Sequence, residues 1–549
     1  MSTAGSASDS TLAPLRIATF RSLWLASVAS NFGGLIQGVG AAWLMTSIAT
    51  SADMVALVQA STTLPIMLFS LVAGAIADGY QRRRVMLVAQ SFMLAASAGL
   101  TIVAWFELVT PWVLLGFTFL IGCGVAFNNP AWQAAVGDVV PRDKIAAAVL
   151  LNGVGFNATR SVGPAVGGAI VAAAGPVAAF AINTLSYFGL IGVLWRWRAP
   201  ATDSSMPRER LTTAMTAGIR YVAMSPNIGK VMVRGFLFGA TTIVILALLP
   251  LVARVRIEGD AVVYGVLLGA FGVGAVAGAF VSGPARAALS NEVLVRWTFL
   301  AMAVCATVTG WSTSAWLIGA ALMLGGGAWV MTLALFNTTV QMSSPRWVVG
   351  RALSLYQMAI FGGMALGSWG WGSVAEAVSI SAALYLSAAG MVLGAAVGLR
   401  LPLPAREALN LDPLNRWREP QTALDVRPRS GPVAISVDYE IDADRVAEFL
   451  DAMAERHRIR RRDGANDWAL MRDLEHPRRW TERFEMPTWA DYVRLHMRTT
   501  QADAPVSDRI RALHAGSEPP QVRRQLIRNP VRSRRAGDPA PSAPVDLES

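Results

Sequence analysis

Long apolar stretches alternate with short polar connections along most of the chain. Between about Phe20 and Arg400 there are roughly twelve such stretches, each with the ~20 apolar residues that a helix needs to cross a hydrocarbon core about 30 Å thick. Lipid offers no hydrogen bonds to the backbone, so these stretches are predicted to be helices rather than open sheet. The pattern therefore predicts an all-α polytopic membrane protein with twelve transmembrane helices.

The basic residues are confined largely to alternate connections. The opposite connections hold little beyond Arg254 and Arg256. By the positive-inside rule the basic set faces the cytoplasm. We therefore predict an even number of crossings, both termini in the cytoplasm and a location in the plasma or inner cell membrane. The basic positions lie at 16 and 21, at 82–84, at 142 and 144, within 196–210, at 286 and 296, and at 346 and 351.

A polar connection that contains three prolines divides the apolar region into two groups of six stretches. The order Phe-Asn, Gln, Pro-Arg within 127–142 recurs within 336–346. Repeated halves are typical of transporters that rock one bundle against the other around a central site. The predicted parts are a cytoplasmic N-terminal segment 1–18, a six-helix half 19–198, a cytoplasmic linker 199–227 and a second six-helix half 228–400.

Charged residues become frequent after about Pro402, which indicates a soluble domain. Residues 433–441 alternate apolar and polar positions as a strand does, and residues 446–453 have apolar positions at helical spacing. Further strands are expected at 468–474, 480–484 and 522–527, with a helix near 489–497. This β-α-β-β-α-β order predicts a small α+β ferredoxin-like cytosolic domain over 431–529, after a linker 401–430 and before a disordered tail 530–549.

The composition excludes several classes of protein. Hydrophobic residues make up 54% and charged residues 15% of the 549 positions, whereas charged residues are about a quarter of a soluble chain. The net charge of +11 lies mostly beside lipid headgroups, so a lipid bilayer is the expected partner and nucleic acid is not. The two cysteines lie in apolar stretches, and we predict no metal, no cofactor and no catalytic residue. A phosphate-binding loop of the Gly-x-x-x-x-Gly-Lys-Ser/Thr type does not occur, which disfavours an ATP-driven pump.

The connection 74–84 carries a glycine, then Asp78, then three arginines. A small residue lets two helix ends approach, and a carboxylate at a helix end can cap the helix or pair with a basic group. The motif resembles the signature loop of the major facilitator superfamily, with Gly79 and Gln81 in place of a basic residue and a glycine. Either the loop is a simple anchor at the membrane surface or it forms a cytoplasmic gate with a nearby acidic residue. The predicted gate residues are Gly74, Asp78, Arg82, Arg83 and Asp138.

The fifth stretch contains the segment Gly-Pro-Ala-Val-Gly-Gly at 163–168, which resembles the superfamily motif associated with exporters. Thr159 stands where that motif has its first glycine. Proline removes a helix hydrogen bond and glycine permits close packing. The resemblance implies efflux, and the alternative is helix packing through small residues. It adds Gly163, Pro164, Gly167 and Gly168 to the predicted gate. In the fourth stretch Thr118 stands where another motif of the superfamily has arginine, which weakens a proton-coupling role there.

Arg160 is the most costly residue of the membrane region. It lies roughly four turns into the fifth stretch, near mid-bilayer. A lone cation in hydrocarbon costs at least about 2.5–3.5 kcal/mol, so Arg160 must face a cavity or partners. We predict contact with an anionic substrate or with the gate; a bond to helix-end carbonyls is the alternative. Polar residues expected to line the same cavity are Asn157, Asn31, Gln37, Asn128, Asn129 and Gln133.

Over about 14–400 the chain resembles the transmembrane secretion effector branch of the major facilitator superfamily, through residues 20–24, 31–33 and 42–45 and the motifs above. The resemblance implies a secondary transporter that exports a small organic molecule, such as a siderophore, drug or metabolite, by alternating access. It also implies proton-coupled antiport, although no Asp or Glu lies clearly at mid-membrane. An uptake transporter of the same fold is the alternative.

The C-terminal domain is similar to the dimeric ferredoxin-like domains of antibiotic-biosynthesis monooxygenases, most visibly at 480–484 and 488–496. His457 and His496 lie on amphipathic helices, where a histidine is usually a surface or interface residue. We therefore expect dimerisation, gating or a protein partner from this domain rather than catalysis. A membrane-tethered enzyme or sensor that acts through it is the remaining alternative.

Overall fold

The computed structural model describes residues 12–141, 144–198, 211–345, 347–404, 410–414 and 416–528. The chain forms two compact units. The membrane unit comprises 1–203, 226–340 and 350–406, and the accessory unit comprises 204–225, 341–349 and 407–549. The linker between the two apolar halves and the connection near residue 345 therefore group with the C-terminal domain.

The six apolar stretches predicted for the first half of the membrane unit form five helices, because the last two stretches belong to one helix, α5. The helix α5 supplies two spans because its backbone breaks at Gly175, where φ is 78° and ψ is 171°. That conformation is open essentially to glycine alone. The helices are α1 Ala18–Ile48, α2 Ala52–Gly79, α3 Arg82–Trp105, α4 Pro111–Val139 and α5 Ile145–Arg196.

The second half supplies six further spans, which confirms the twelve-helix fold. Side chains of Asp260, Ser290 and Ser379 accept backbone hydrogen bonds at the first turns of three of these helices, and such N-caps fix where a helix begins. The helices are α7 Pro226–Leu251, α8 Ala261–Ala288, α9 Asn291–Trp311, α10 Ala315–Met342, α11 Val349–Ala377 and α12 Ile380–Val397.

Hydropathy alone finds fewer spans than the backbone does. Among the described residues, nine helices have the length and apolarity of a membrane span, and α5 counts once although it contains two spans. Neither α1 nor α11 is among the nine. Both are longer than 25 residues but carry many Gly, Ser, Thr or Asn side chains. We count them as spans because they pack within the bundle, where such residues lie against protein rather than lipid.

The accessory unit is an α+β sandwich of the predicted ferredoxin-like order. All strand pairs are antiparallel, with spatial order β2-β3-β1-β4. The strands are β1 Val433–Glu440, β2 Asn466–Arg472, β3 Arg479–Met486 and β4 Gln521–Leu526. The helix α13 Val446–Asp463 follows β1, and α14 Trp489–Arg498 and α15 Ala504–Leu513 follow β3. Two short helices replace the one predicted, since Thr500 and Asp503 form a capping box that begins a new helical turn.

Two segments distant in sequence also pack on this sandwich. They are the helix α6 Leu211–Ala223 and the connection 341–349. The guanidinium of Arg462 lies 5.7 Å from the ring centre of Tyr221, and that of Arg498 lies 4.3 Å from the ring centre of Trp347. The two rings meet edge to face at 5.7 Å. Cation–π and aromatic contacts therefore hold both segments to α13 and α14.

Ion pairs tie helix ends together in each half of the membrane unit. In the first half, Arg82 at the start of α3 pairs with Asp138 at the end of α4. In the second half, the fully buried Arg234 of α7 pairs with Glu292 of α9, which also accepts from Arg296 at 2.8 Å. Removing one member of a buried pair would leave an uncompensated charge.

The break at Gly175 gives a first testable prediction. Gly175→Ala is expected to destabilise the protein by about 1–3 kcal/mol, because a Cβ is strained at that backbone conformation. Thermal unfolding in detergent measures the effect. Gly189→Ala is the matched control, since Gly189 lies inside the same helix and a Cβ there would meet no atom within 4 Å. Equal unfolding temperatures for both variants would contradict the assignment of strain to Gly175.

Candidate substrate cavity

A central cavity of about 470 Å³ lies within the membrane unit. Its wall is formed by α1 to α5 from the first half and by α7, α8 and α11 from the second half. Small-molecule sites are usually clefts of about 300–1,000 Å³ with mostly apolar walls and a few convergent polar groups. The position between two repeated halves is where transporters of this architecture hold their substrates.

Arg160 is the one charged side chain among the described residues of the cavity wall. It reaches the wall from α5, and its guanidinium lies 5.7 Å from the ring centre of Phe271 on α8. No described residue offers it a hydrogen bond or a carboxylate, and no described lining residue is acidic. The guanidinium donors therefore remain available to a ligand, while Phe271 partly offsets the missing counterion.

Four of the predicted amide residues also line the cavity. Asn31 and Asn129 make no side-chain hydrogen bond to any described residue, so their amides face the cavity. Gln37 instead accepts hydrogen bonds from Ser97 at 2.8 Å and from Asn183 at 2.5 Å. This bonding fixes α1 against α3 and α5 and leaves Gln37 less free to meet a ligand.

The remaining predicted cavity residues are placed as follows. Asn128 lines the cavity and accepts from the Gln90 amide at 3.1 Å. Gln133 is exposed and does not line it, because Gln133 lies one helical turn beyond Asn129 along α4. The side chain of Asn157 lies outside the described residues.

Three of the predicted gate residues contact neighbouring helices at one end of the bundle, here called the Arg82 end; they are Arg82, Arg83 and Asp138. Arg82 pairs with Asp138, and Arg83 donates to the carbonyls of Leu194 at 2.8 Å and Trp195 at 2.9 Å. The start of α3 is thereby fixed to the ends of α4 and α5. A Cβ on Gly74 would lie 2.8 Å from the Ser354 hydroxyl, so α2 and α11 approach closely across the halves. The Asp78 side chain and Arg142 lie outside the described residues.

The glycines of the 163–168 segment mediate helix contacts. Gly163 and Gly167 face Leu35 and Ile36 of α1. Gly168 faces Gly265 of α8, and a Cβ on either glycine would collide with a backbone carbonyl of the other helix. Pro164 alone of the predicted motif residues lines the cavity. The segment therefore lets α5 of the first half touch α8 of the second half directly.

The sequence analysis predicted no cavity-lining residue from the second half of the membrane unit. Tyr264 and Phe271 of α8 and Phe361 of α11 line the cavity. Aromatic residues in an apolar stretch carry no signal that separates a cavity from a lipid face. Asn183 was also missed, although a buried amide in an apolar stretch signals an interhelical hydrogen bond. Thr118, at the position of the family arginine, bonds the Ser61 hydroxyl at 2.6 Å and helps to pack α4 on α2.

Comparison with known protein families matches one family model to most of the chain. A family model described as transmembrane secretion effector matches residues 9–531, which includes most of the accessory unit. The chain is 29% identical over 207 residues to the multidrug efflux pump Tap of Mycobacterium tuberculosis, covering 36% of this chain and 49% of that protein. It is 27% identical over 368 residues to the enterobactin exporter EntS of Citrobacter koseri, covering 65% and 83%. The chain thus spans about half the length of the first curated relatives that it matches.

Solved structures show the same fold at low identity. A bacterial homologue of the human lysosomal transporter Spinster, inward-facing, aligns with a TM-score of 0.55 and 13% identity over 71% of this chain and 95% of that one. A POT family transporter in complex with a thioalcohol-conjugated peptide aligns with a TM-score of 0.57 and 10% identity over 69% and 95%. At these identities the likeness concerns the fold alone.

Proposed function

Because the chain belongs to the transmembrane secretion effector family of the major facilitator superfamily, we propose that it is a secondary transporter that exports a small organic molecule. The observation that carries the proposal is the central cavity, whose described wall has one cation, free amides and no carboxylate. An anionic or amphipathic cargo fits this wall. The related proteins are a multidrug efflux pump and an enterobactin exporter, which supports outward transport of a siderophore-, drug- or metabolite-like compound.

The charge balance of the cavity favours an anion. A buried cation without a counterion is unfavourable, and a bound carboxylate or similar group would compensate Arg160. Apolar side chains of the same cavity wall, among them Ile66, Phe271 and Phe361, offer contact to the hydrophobic part of a cargo. A cationic cargo would add a second positive charge to a wall that, among the described residues, offers no acidic group.

Contacts between the halves support an alternating-access cycle. The halves touch through α5 and α8 at Gly168 and Gly265 and through α2 and α11 at Gly74 and Ser354. Small residues at such contacts let one bundle rock on the other without a large loss of packing. We propose that the Arg82 end is cytoplasmic, since its connections carry the basic residues. Proton coupling remains the family-based expectation.

Metabolite profiling of the producing cells tests the direction and the cargo together. Cells that express the protein are expected to accumulate at least one anionic or amphipathic compound in the medium, and cells without it to retain that compound inside. The reverse distribution would establish the uptake alternative. An unchanged profile in both compartments, with the protein present in the membrane, would contradict the proposed export.

A further inference from the structure

A second cavity lies inside the accessory unit, between its sheet and its helices. It measures about 330 Å³ and is bounded by β1, β3 and β4 on one side and by α13, α14 and α15 on the other. Small domains are normally packed so closely that voids larger than a water molecule are few. A space of this size is instead within the range of small-molecule sites, about 300–1,000 Å³.

Arginines dominate the buried polar part of this wall. Arg456 and Arg460 both line the cavity, and each donates from Nε to the fully buried Glu482 at 3.2 Å. The side chain of Arg460 is only 10% exposed, and its terminal nitrogens have no hydrogen-bond partner among the described residues. Its guanidinium lies 4.4 Å from the ring centre of Phe484. Two buried cations thus share one carboxylate, which leaves an excess positive charge beside an open space.

The other carboxylates of the wall are already occupied. Asp463 accepts from Arg462 at 2.9 Å and 3.2 Å, and Asp508 accepts two hydrogen bonds from Arg416 at 2.9 Å and 3.1 Å. Arg524 of β4 also lines the cavity, and its one hydrogen bond to a described residue runs from Nε to the Tyr492 hydroxyl at 2.8 Å. The charged donors that remain for a ligand therefore belong to arginines.

Flat rings form a further part of the wall. Trp417 and His496 stack in parallel, with ring centres 4.5 Å apart and an angle of 3° between the planes. Tyr492 meets His496 edge to face at 4.9 Å. Burial, together with Arg460, Arg456 and Arg524, lowers the pKa of His496 to about 3, so its imidazole is uncharged at neutral pH. The rings offer an aromatic surface close to the arginines.

We propose that the accessory-unit cavity binds a small aromatic carboxylate, with the carboxylate held by Arg460 and Arg524 and the ring placed against Trp417 and His496. Arginine binds carboxylates in a fork geometry that matches both oxygens. The site is distinct from the cavity around Arg160, and the inference does not depend on what that cavity transports.

Binding of 2-naphthoate to the full-length protein in detergent, measured by isothermal titration, tests the proposal. Saturable binding is expected, and Arg460→Gln and Arg524→Gln are each expected to weaken it about tenfold or more, the usual effect of losing a charge-assisted hydrogen bond. Arg461→Gln is the matched control, because Arg461 carries the same charge on the same helix but does not line the cavity. Neutral 2-naphthamide should bind at least about tenfold more weakly than 2-naphthoate.

Two further comparisons keep the outcome clear. Arg524 is exposed, so Arg524→Gln does not disturb the buried Arg460–Glu482 pair even if Arg460→Gln affects folding. Arg160→Gln should leave naphthoate binding to the accessory unit unchanged, whatever it does to transport. The proposal is overturned if no saturable binding occurs, if Arg524→Gln binds as tightly as Arg461→Gln, if 2-naphthamide binds equally well, or if binding is lost only with Arg160→Gln.

Discussion

Replacement of Arg160 by alanine is expected to lower the export rate at least about tenfold while leaving near-normal amounts of protein in the membrane. The change removes the one cation of the described cavity wall. A hydrogen bond to a charged group contributes about 1.5–3 kcal/mol, and about 1.4 kcal/mol corresponds to tenfold. Folding should be spared, since no described carboxylate depends on this guanidinium. The measurement is the initial efflux rate of the compound found by profiling, normalised to membrane abundance.

Two variants make this experiment specific. Arg160→Lys keeps the charge but loses the planar fork of donors, so it should retain part of the activity. Arg21→Ala removes an exposed arginine of α1 that is not part of the cavity wall, and it should transport normally. Normal export by Arg160→Ala would remove Arg160 from the mechanism. Loss of the protein from the membrane would instead assign Arg160 a role in folding.

Glu482→Ala is expected to destabilise the accessory unit by about 3–5 kcal/mol, because it leaves the buried Arg456 and Arg460 without their shared counterion. Trp468 and Tyr439 would also lose their hydrogen bonds to this carboxylate, at 3.1 Å each. Since domains are stable by about 5–15 kcal/mol, the loss is a large fraction of the total. Hydrogen exchange of peptides from 433–526 in the full-length protein should accelerate about a hundredfold or more.

The matched control for this substitution lies on the same strand. Glu485→Ala removes a carboxylate of β3 that pairs with Arg483 near the surface, and it should cost at most about 1 kcal/mol. Equal exchange in the two variants would contradict a central role for Glu482.

The carboxylate of Glu482 also makes part of the folding stability of the accessory unit sensitive to acid. Burial alone would raise the pKa of Glu482, but the neighbouring Arg456 and Arg460 lower it to about 2, below the ordinary value of 4.5. A lowered pKa in the folded state means that the stabilisation is fully present above about pH 4.5 and is lost as the pH falls towards 2. Glu482→Gln should lack this component of the pH dependence.

The membrane fold could be predicted because a bilayer imposes one strong condition on every span. Length and apolarity located the twelve helices, and the prolines and charges of the central linker separated the halves. Arg160 could be predicted as a cavity residue because a cation has few acceptable positions in lipid. The partly polar α1 shows the limit of hydropathy, since Gly33, Gly40 and Gln37 lie against α5 and Asn31 faces the cavity, so none of these residues needs to be apolar.

Contacts between residues far apart in sequence could not be predicted. Asn183 donates to Gln37 across 146 positions, and Arg234 meets Glu292 across 58. Each of these side chains looks ordinary in its own segment, and only the packing of two helices brings the pair together. Gln133 is predicted to line the cavity as a polar residue of the fourth stretch, but it is exposed and is not part of the wall, because a helical face extends beyond the cavity that it borders.

The grouping of α6 and the connection 341–349 with the C-terminal sandwich affects how shortened chains should be interpreted. A chain that ends before residue 410 would lack Arg462, which covers the ring of Tyr221. It would also lack Arg498, which covers the ring of Trp347. The aromatic rings of Tyr221 on α6 and of Trp347 in the connection 341–349 would then be more exposed. Lost transport after such a deletion would then reflect non-native contacts of these exposed rings as well as the absence of the domain. Point substitutions in the full-length protein separate the two effects.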